Sequence, residues 1–167
     1  QHTLHGAPLV PEAVHVELAL AVATELLGCG PDEVRLTDVR FERVVPLVAS
    51  VPVQVAATGN GHRVAVEVLR HTGGGWDRVA SATATRDEGP VDLRPALEPP
   101  DAPAAPGDLY AQFRRIGLDT GPAFHSITAT TDDGITRLHV PGDAEIRTGA
   151  PRVHPVLFDG CLLSAAA

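Results

Sequence analysis

The longest apolar segment of the chain lies close to its beginning, at residues 13–27. Its only polar interruptions are His15, Glu17, Thr24 and Glu25. Pro11 and Glu12 precede it, and both suit a helix start, because proline fits the first turn and a carboxylate fits its positive end. A helix that is apolar nearly all round must be covered by other structure. The pattern therefore predicts a buried central helix wrapped by a curved sheet.

Runs rich in β-branched residues follow this helix. They occupy residues 34–45, 51–58, 63–70 and 76–85. Pro46, Asn60-Gly61 and the glycines at 73–75 separate the runs, as turns between strands do. In the third run Val64, Val66 and Val68 alternate with Ala65, Glu67 and Leu69, which indicates one buried face. The pattern predicts a twisted, half-buried antiparallel meander.

The chain changes character between residues 86 and 107, where six prolines occur with little periodicity. We expect an ordered or semi-rigid linker there. After it, Asp108 is placed to cap a short helix over residues 109–116 that Gly117 ends. The second half thus begins like a new domain, at about residue 108.

A turn at Gly121-Pro122 then precedes strand candidates at 124–131 and 134–140. Pro155 starts a last apolar helix that is predicted to run to residue 167. The order of helix, strands, linker, short helix, strands and helix indicates that the second half begins to repeat the first.

Composition limits the classes of partner. Apolar residues make up 44% and charged residues 20% of the chain, which is typical of a soluble globular protein. The net charge of −8 opposes binding to polyanions, and the apolar runs are shorter than a membrane span. We expect neither nucleic acid nor a membrane as a partner. Cys29 and Cys161 belong to no metal-binding or redox pattern, which predicts two half-buried free thiols in a reducing cytosol and not a disulfide. The chain opens on Gln1 without a leader, and we expect it to be a piece of a longer protein.

Two distant residues are candidates for acid–base chemistry. His2 stands just before the predicted central helix, and Asp159 lies near the far end of the chain. Proton transfer on an apolar substrate needs at least one base and one acid. A histidine at the start of a buried helix, with a carboxyl that folds back onto it, supplies both. The plainer interpretations are an exposed terminal histidine and an ordinary helix acid. His5 and His154 lack the spacing of metal ligands around His2, so we expect no metal.

Ordered motifs carry a resemblance to a known family. His2, Gly6 and Pro11 match the HxxxGxxxxP signature of the dehydratase domains of modular polyketide synthases. Residues 109–124 are similar to the stretch that carries that family's GYxYGPxF motif, and residues 153–159 resemble the segment of its DxxxQ or DxxxH motif. The motifs occur in the family's order over nearly the whole chain.

The resemblance implies an α+β fold of the double hot-dog type, in which two curled antiparallel sheets each wrap a central helix and share one tunnel. The first hot dog would occupy residues 1–85, the linker 86–107, and the second hot dog 108–167, which ends in its central helix. The resemblance also implies an acyl carrier protein and neighbouring synthase domains as partners, and pairing as a homodimer.

The implied reaction is the elimination of water from a 3-hydroxyacyl thioester on the acyl carrier protein. His2 would remove the α-proton, and Asp159 would protonate or orient the departing β-hydroxyl. Burial would keep the imidazole neutral and the carboxyl protonated. The implied substrate-binding or oxyanion positions are Gly6, Pro11, Thr120, Gly121, Pro122 and Leu163. No metal or cofactor is implied beyond the phosphopantetheine arm that carries the substrate.

Some positions depart from the family pattern. Leu163 stands four residues after Asp159, where the family has Gln or His, and it cannot hydrogen-bond the carboxyl. Leu118 and Thr120 stand where the family has aromatic residues. These departures leave alternatives open: a variant that shifts a double bond or closes an oxygen ring, or an inactive module that packs against neighbouring domains.

Overall fold

The structure of the protein, a computed structural model, describes residues 2–47, 50–87, 89, 107–131, 135–142 and 152–165. Residue contacts divide the chain into two units. One comprises Gln1–Ala13 together with Asp92–Ala167, and the other comprises Val14–Val91. The boundaries at residues 85 and 108 remain a prediction, and most of the predicted linker lies outside the described residues.

Nine strands and three α-helices are found in the described residues. The strands are β1 (Thr3–Leu4), β2 (Ala7–Pro8), β3 (Val34–Phe41), β4 (Val53–Asn60), β5 (Arg63–His71), β6 (Trp76–Arg86), β7 (Leu118–Asp119), β8 (Ile127–Thr130) and β9 (Thr136–Leu138). The α-helices are α1 (Glu12–Leu27), α2 (Gly107–Arg115) and α3 (Pro155–Ala165). Short 3₁₀ turns occur at Pro31–Glu33 and Pro122–Phe124.

The unit of residues 14–91 contains one antiparallel sheet, of strand order β3-β6-β5-β4. Strands β4, β5 and β6 follow one another through hairpins, which confirms the predicted meander for these three strands. The prediction is wrong for β3, which pairs with β6 and not with β4, because the connection from Phe41 to Val53 is longer than a hairpin turn. The side-chain oxygen of Asn60 accepts hydrogen bonds from the amides of His62 and Arg63 at 3.0 and 3.1 Å. This asparagine therefore closes the predicted Asn-Gly turn.

The helix and the sheet share an apolar core. Val64, Val66 and Val68 are each 1% exposed, so the alternation in β5 points one face inward as predicted. Ala19 and Ala23 of α1 are buried in the same cluster as Val64 and Val66. Because these alanines stand one helical turn apart, they give α1 a flat stripe against which the sheet packs closely.

The helix is less enclosed than its sequence predicts. Val14 is 40% exposed and Leu26 is 51% exposed, whereas Ala23 is fully buried. The prediction of a helix wrapped on all sides is thus wrong for one face within the described residues, because a single sheet of this size covers only one side. Strand β3 also stops at Phe41 and not at 45, after a break in register and a positive φ at Asp38.

The other unit begins with a short sheet of order β2-β1-β7. His5 and Gly6 form the two-residue turn between β1 and β2, with φ of 49° and 81°. Positive φ at both positions is what a type I′ hairpin turn requires, and glycine adopts it readily. These strands are too short to show periodicity, so the sequence did not indicate them.

Helices α2 and α3 supply the core of this unit. One cluster of buried apolar residues combines side chains of both helices with Ile127 of β8: Tyr110, Phe113, Ile127 and Leu163. Helix α3 confirms the predicted helix starting at Pro155. Helix α2 begins at Gly107, so the prediction of Asp108 as its cap is wrong, and Asp108 lies in the first turn.

The predicted strands of this half are shorter than expected. Strand β8 begins at Ile127 because the Pro122–Phe124 turn occupies the first predicted positions. The second predicted strand is reduced to β9, and residue 134 lies outside the described residues.

Two simpler expectations concern membrane spans and thiols. In the part of the chain that the structure describes, no helix has the length and apolarity needed to cross a bilayer. Both thiols are free, as predicted, and Cys29 is half-buried. The prediction that Cys161 is half-buried is wrong, because this residue lies off the buried face of α3 and is exposed.

Replacing Gly117 by alanine should destabilise the short sheet. Gly117 has a φ of 90°, its carbonyl accepts the His5 amide at 2.7 Å, and a Cβ there would overlap the His5 ring. We expect a loss of about 1–3 kcal/mol in unfolding free energy, measured by urea titration. Gly74→Ala is the matched control, because a Cβ at Gly74 meets nothing within 4 Å. Equal stability of both variants would contradict this account.

Candidate active site

The backbone of His2 is fixed by the short sheet at the start of the chain. Its carbonyl accepts a hydrogen bond from the Leu9 amide at 2.9 Å. The next residue, Thr3, pairs with Pro8 of β2 and with Asp119 of β7. Since β7 comes from the far half of the sequence, this pairing carries His2 to residues distant along the chain.

Asp159 lies on the buried face of α3. The buried residues of that helix are Val156, Asp159, Gly160 and Leu163. Their spacing places them on one side of the helix, as for an amphipathic core helix. At Gly160 a Cβ would overlap the Ser126 hydroxyl, so glycine allows α3 to lie close to that loop. The sequence thereby turns one carboxyl inward among apolar neighbours.

The structure brings His2 and Asp159 together. Nδ1 of His2 lies 3.4 Å from Oδ1 of Asp159. His2 is 9% exposed and Asp159 is 4% exposed. Neither Nδ1 nor the second carboxylate oxygen, Oδ2, has a hydrogen-bond partner among the described residues. The pair is therefore buried and adjacent, and these two atoms make no hydrogen bond within the described residues.

Burial sets the protonation of both groups. Loss of hydration raises the pKa of Asp159 from 3.8 to about 7, and the nearby Glu12 carboxylate adds to the rise. Burial lowers the pKa of His2, while Glu12 opposes that change. Near neutral pH the pair thus holds a neutral imidazole beside a carboxyl that retains much of its proton. These are the forms of a general base and a general acid.

Glu12 is a third member of the group. One ligand-type atom each from His2, Glu12 and Asp159 lies within 4.8 Å of the other two. Sequence reasoning treated Glu12 only as a helix-start residue, although its position after Pro11 was visible. Among the described residues, these three side chains form the group whose types and spacing could hold a metal ion. The group contains neither His5 nor His154.

The surroundings of the pair are largely apolar. The Phe124 ring meets the His2 ring edge-on, with centroids 5.7 Å apart. Leu163 is buried one turn beyond Asp159, in the cluster with Tyr110. Thr120 directly follows β7, the strand that pairs with β1 next to His2. It is 2% exposed, and its hydroxyl has no partner among the described residues. Apolar walls of this kind account for the raised pKa of the carboxyl.

Tyr110 supports the loop that carries Phe124. Its hydroxyl accepts a hydrogen bond from the Ile127 amide at 2.9 Å, and its ring stacks on His125 at 4.0 Å. Burial raises the pKa of Tyr110, so the phenol stays protonated. Sequence reasoning missed Tyr110 and Phe124 as site residues, because an aromatic residue in such positions is equally typical of a core.

The other predicted substrate-binding residues lie in turns. Gly6 is exposed in the hairpin turn, and Pro11 directly precedes α1. Gly121 has a φ of 64° and donates its amide to Asp119 at 3.0 Å, which starts the turn that Pro122 continues. Their roles toward a substrate remain predictions.

Known families match the chain over most of its length. A family model described as polyketide synthase dehydratase domain matches residues 1–71. A model described as polyketide synthase dehydratase N-terminal domain matches residues 88–167. The two matches follow one another along the chain and contain His2 and Asp159 respectively.

Two mycobacterial synthases are similar to the chain. The chain is 31% identical over 180 residues to a phenolphthiocerol/phthiocerol polyketide synthase of Mycobacterium tuberculosis, covering 99% of this chain and 10% of that protein. It is 29% identical over 180 residues to phthioceranic/hydroxyphthioceranic acid synthase of Mycobacterium bovis, covering 99% of this chain and 8% of that protein. The chain thus spans about a tenth of these relatives.

Solved structures agree with the fold. The dehydratase domain of PpsC from Mycobacterium tuberculosis, in complex with C12:1-CoA, matches with a TM-score of 0.79 and 27% identity. The match covers 99% of this chain and 62% of that chain. The dehydratase domain from the CurK module of curacin polyketide synthase matches with a TM-score of 0.77 and 23% identity, covering 98% of this chain and 61% of that chain.

These structures confirm the predicted α+β double hot-dog fold, of which the chain contains an incomplete second half. With the matched family models and the ordered motifs, they lead to one assignment. The chain belongs to the dehydratase family of polyketide synthases.

Proposed function

We propose that His2 and Asp159 remove water from a 3-hydroxyacyl thioester on an acyl carrier protein, giving an α,β-enoyl thioester during polyketide chain elongation. The observation that carries this proposal is the buried contact of 3.4 Å between a histidine and a carboxyl. Their opposite pKa changes support it, because elimination needs a neutral base and a protonated acid at the same pH.

The first bond change is at the α-carbon. The neutral His2 imidazole takes the α-proton, and the electron pair of the broken C–H bond moves toward the thioester carbonyl. The low exposure of His2 favours this step, because a ring without a hydration shell stays unprotonated and available. The Thr120 hydroxyl, buried and unpaired among the described residues, is a candidate donor to the negative oxygen.

The second bond change is at the β-carbon. The electron pair re-forms as the α,β double bond, the C–O bond breaks, and Asp159 gives its proton to the leaving hydroxyl. Water departs, which leaves an imidazolium beside a carboxylate. Because these groups are in contact, the proton returns from His2 to Asp159 and restores the starting forms. Atoms and charge balance without a metal or a redox partner.

The substrate class is an acyl thioester with an apolar chain. The PpsC dehydratase domain, which is 27% identical, was solved with C12:1-CoA. The apolar surroundings of the pair here, Phe124 and Leu163 among them, suit a similar group. The acyl carrier protein and neighbouring synthase domains as partners, and assembly as a homodimer, remain part of the proposal.

Removal of the base should abolish dehydration. A complete dehydratase domain containing this sequence is given 3-hydroxyacyl pantetheine thioesters, and loss of water is followed by mass spectrometry. We expect His2→Ala to lower kcat/KM about 10²- to 10⁴-fold, the usual contribution of a general base. His62→Ala, in the exposed turn after β4, is the control and should keep the original rate. An active His2→Ala variant would refute the assigned base.

The same assay separates the alternatives. A product with a moved double bond or a closed oxygen ring identifies an isomerase or cyclase, and no turnover of any chain length or stereoisomer identifies a structural module. Each of these results overturns simple dehydration.

The reaction rate plotted against pH should give a bell-shaped curve. Activity requires neutral His2 and protonated Asp159. The acid limb of kcat/KM should therefore lie below pH 6.5, because burial lowers the pKa of His2, and the alkaline limb near pH 7. Initial rates between pH 5 and 9 measure both limbs. Activity that keeps rising above pH 8 would mean that Asp159 acts as a carboxylate.

Replacing Asp159 by asparagine should stabilise the domain above neutral pH while it removes activity. The unfolded carboxyl loses its proton near pH 4, whereas the folded one holds it to about pH 7, so wild-type stability falls as pH rises between these values. Asparagine lacks this penalty. We expect Asp159→Asn to gain about 1–4 kcal/mol at pH 8 and little at pH 4, by urea unfolding. Asp32→Asn, at an exposed acid, is the control. A gain that does not depend on pH would contradict burial of the charge.

A further inference from the structure

Glu12 lies beside His2 and Asp159, and the proposed reaction does not use it. It is the first residue of α1, directly after Pro11. Its carboxylate lies within 4.8 Å of ligand-type atoms of both His2 and Asp159. It is half-buried, whereas the other two side chains are buried. The site thus contains two carboxyl groups around one imidazole.

Two carboxyl groups this close do not both ionise readily, because like charges repel strongly where water is scarce. The charge goes to the group with the better solvation. Glu12 is more exposed than Asp159 and stands at a helix N-terminus, where free amides and the helix dipole favour an anion. Asp159 sits in mid-helix among apolar residues, with Oδ2 unpaired among the described residues. The nearby Glu12 carboxylate therefore disfavours ionisation of Asp159, and burial does so more strongly.

The same charge acts on the base. When His2 takes the α-proton it becomes a cation with little access to water, and such a cation is costly without a counter-charge. The Glu12 carboxylate supplies that charge at a distance of a few ångströms. Leu163, one turn after Asp159, offers no polar atom, whereas Glu12 acts electrostatically on both His2 and Asp159.

We propose that Glu12 is a positioning residue for the reaction, whose negative charge keeps the proton on Asp159 and stabilises the imidazolium of His2. The inference rests on the proposed dehydration and deepens it. Under this proposal the charge of Glu12, at the start of α1, acts on Asp159. It takes the place of the hydrogen-bonding residue that the family pattern has four positions after the aspartate.

Other titratable groups facing the pair do not replace Glu12. Tyr110 of α2 interacts electrostatically with Asp159, but burial raises its pKa and keeps it neutral. His2 is itself a member of the pair. Burial contributes most to the raised pKa of Asp159, and Glu12 is the second contributor, acting in the same direction.

The test compares charge-removing and charge-keeping variants in a complete dehydratase domain. Glu12→Gln removes the charge at nearly constant shape, and Glu12→Asp keeps it. The first readout is the pKa of the Asp159 carboxyl, followed by NMR with ¹³C-labelled aspartate and assigned by loss of the signal in Asp159→Asn. The second readout is kcat/KM against pH. Glu25→Gln, an exposed acid near the other end of α1, is the control.

We expect Glu12→Gln to lower the pKa of Asp159 and to move the alkaline limb of the rate to lower pH. Because ionised Asp159 is inactive in this scheme, kcat/KM at pH 8 should fall about tenfold, while KM changes little. Glu12→Asp should restore most of the rate, and Glu25→Gln should match the parent domain. A merely structural Glu12 would leave the carboxyl titration unchanged.

The outcomes distinguish the two proposals. If Glu12→Gln leaves the pKa of Asp159 and the alkaline limb unchanged while the parent domain dehydrates its substrate, the role of Glu12 is refuted and dehydration stands. If the parent domain does not dehydrate any substrate but the pKa of Asp159 still falls in Glu12→Gln, the charge effect stands and the proposed function is refuted.

Discussion

Burial of an ionisable pair is the constraint on which the site depends. Hiding a carboxyl from water costs free energy, and the protein meets that cost by keeping the proton on Asp159. The neutral form beside His2 is then the state that costs less to bury, and it is also the state that the proposed reaction requires. In that proposal stability and chemistry are coupled, because ionisation of this carboxyl weakens the fold and would also remove the acid.

Much of the fold follows from periodicity. The apolar run of α1, the alternation in β5 and the glycine and asparagine turns predict the sheet of residues 14–91 because each signal is local and repeated. The short strands β1, β2 and β7 were missed, since two residues show no period. Strand β8 starts later than its sequence indicates, because Gly121 and Pro122 direct the chain into a 3₁₀ turn.

The site was predictable in part. His2 and Asp159 were indicated by ordered motifs, and the structure brings them together. Glu12 was not indicated as a site residue, because the helix dipole alone explains a glutamate at the start of a helix. The role that we propose for Glu12 depends on its proximity to Asp159, a residue distant in sequence. The pairing of β1 with β7 and the packing of α3 bring the two residues together. The spacing of residues along the sequence does not reveal such contacts unless a known motif links the residues involved.

The division of the chain has a consequence for its synthesis. Residues 14–91 are continuous in sequence, so this unit has all its parts as soon as residue 91 has left the ribosome. The first thirteen residues belong with residues 92–167. The segment that carries His2 is therefore synthesised before its pairing partner β7 and before α3, which carries Asp159. The contact between His2 and Asp159 can form only after α3 has been synthesised.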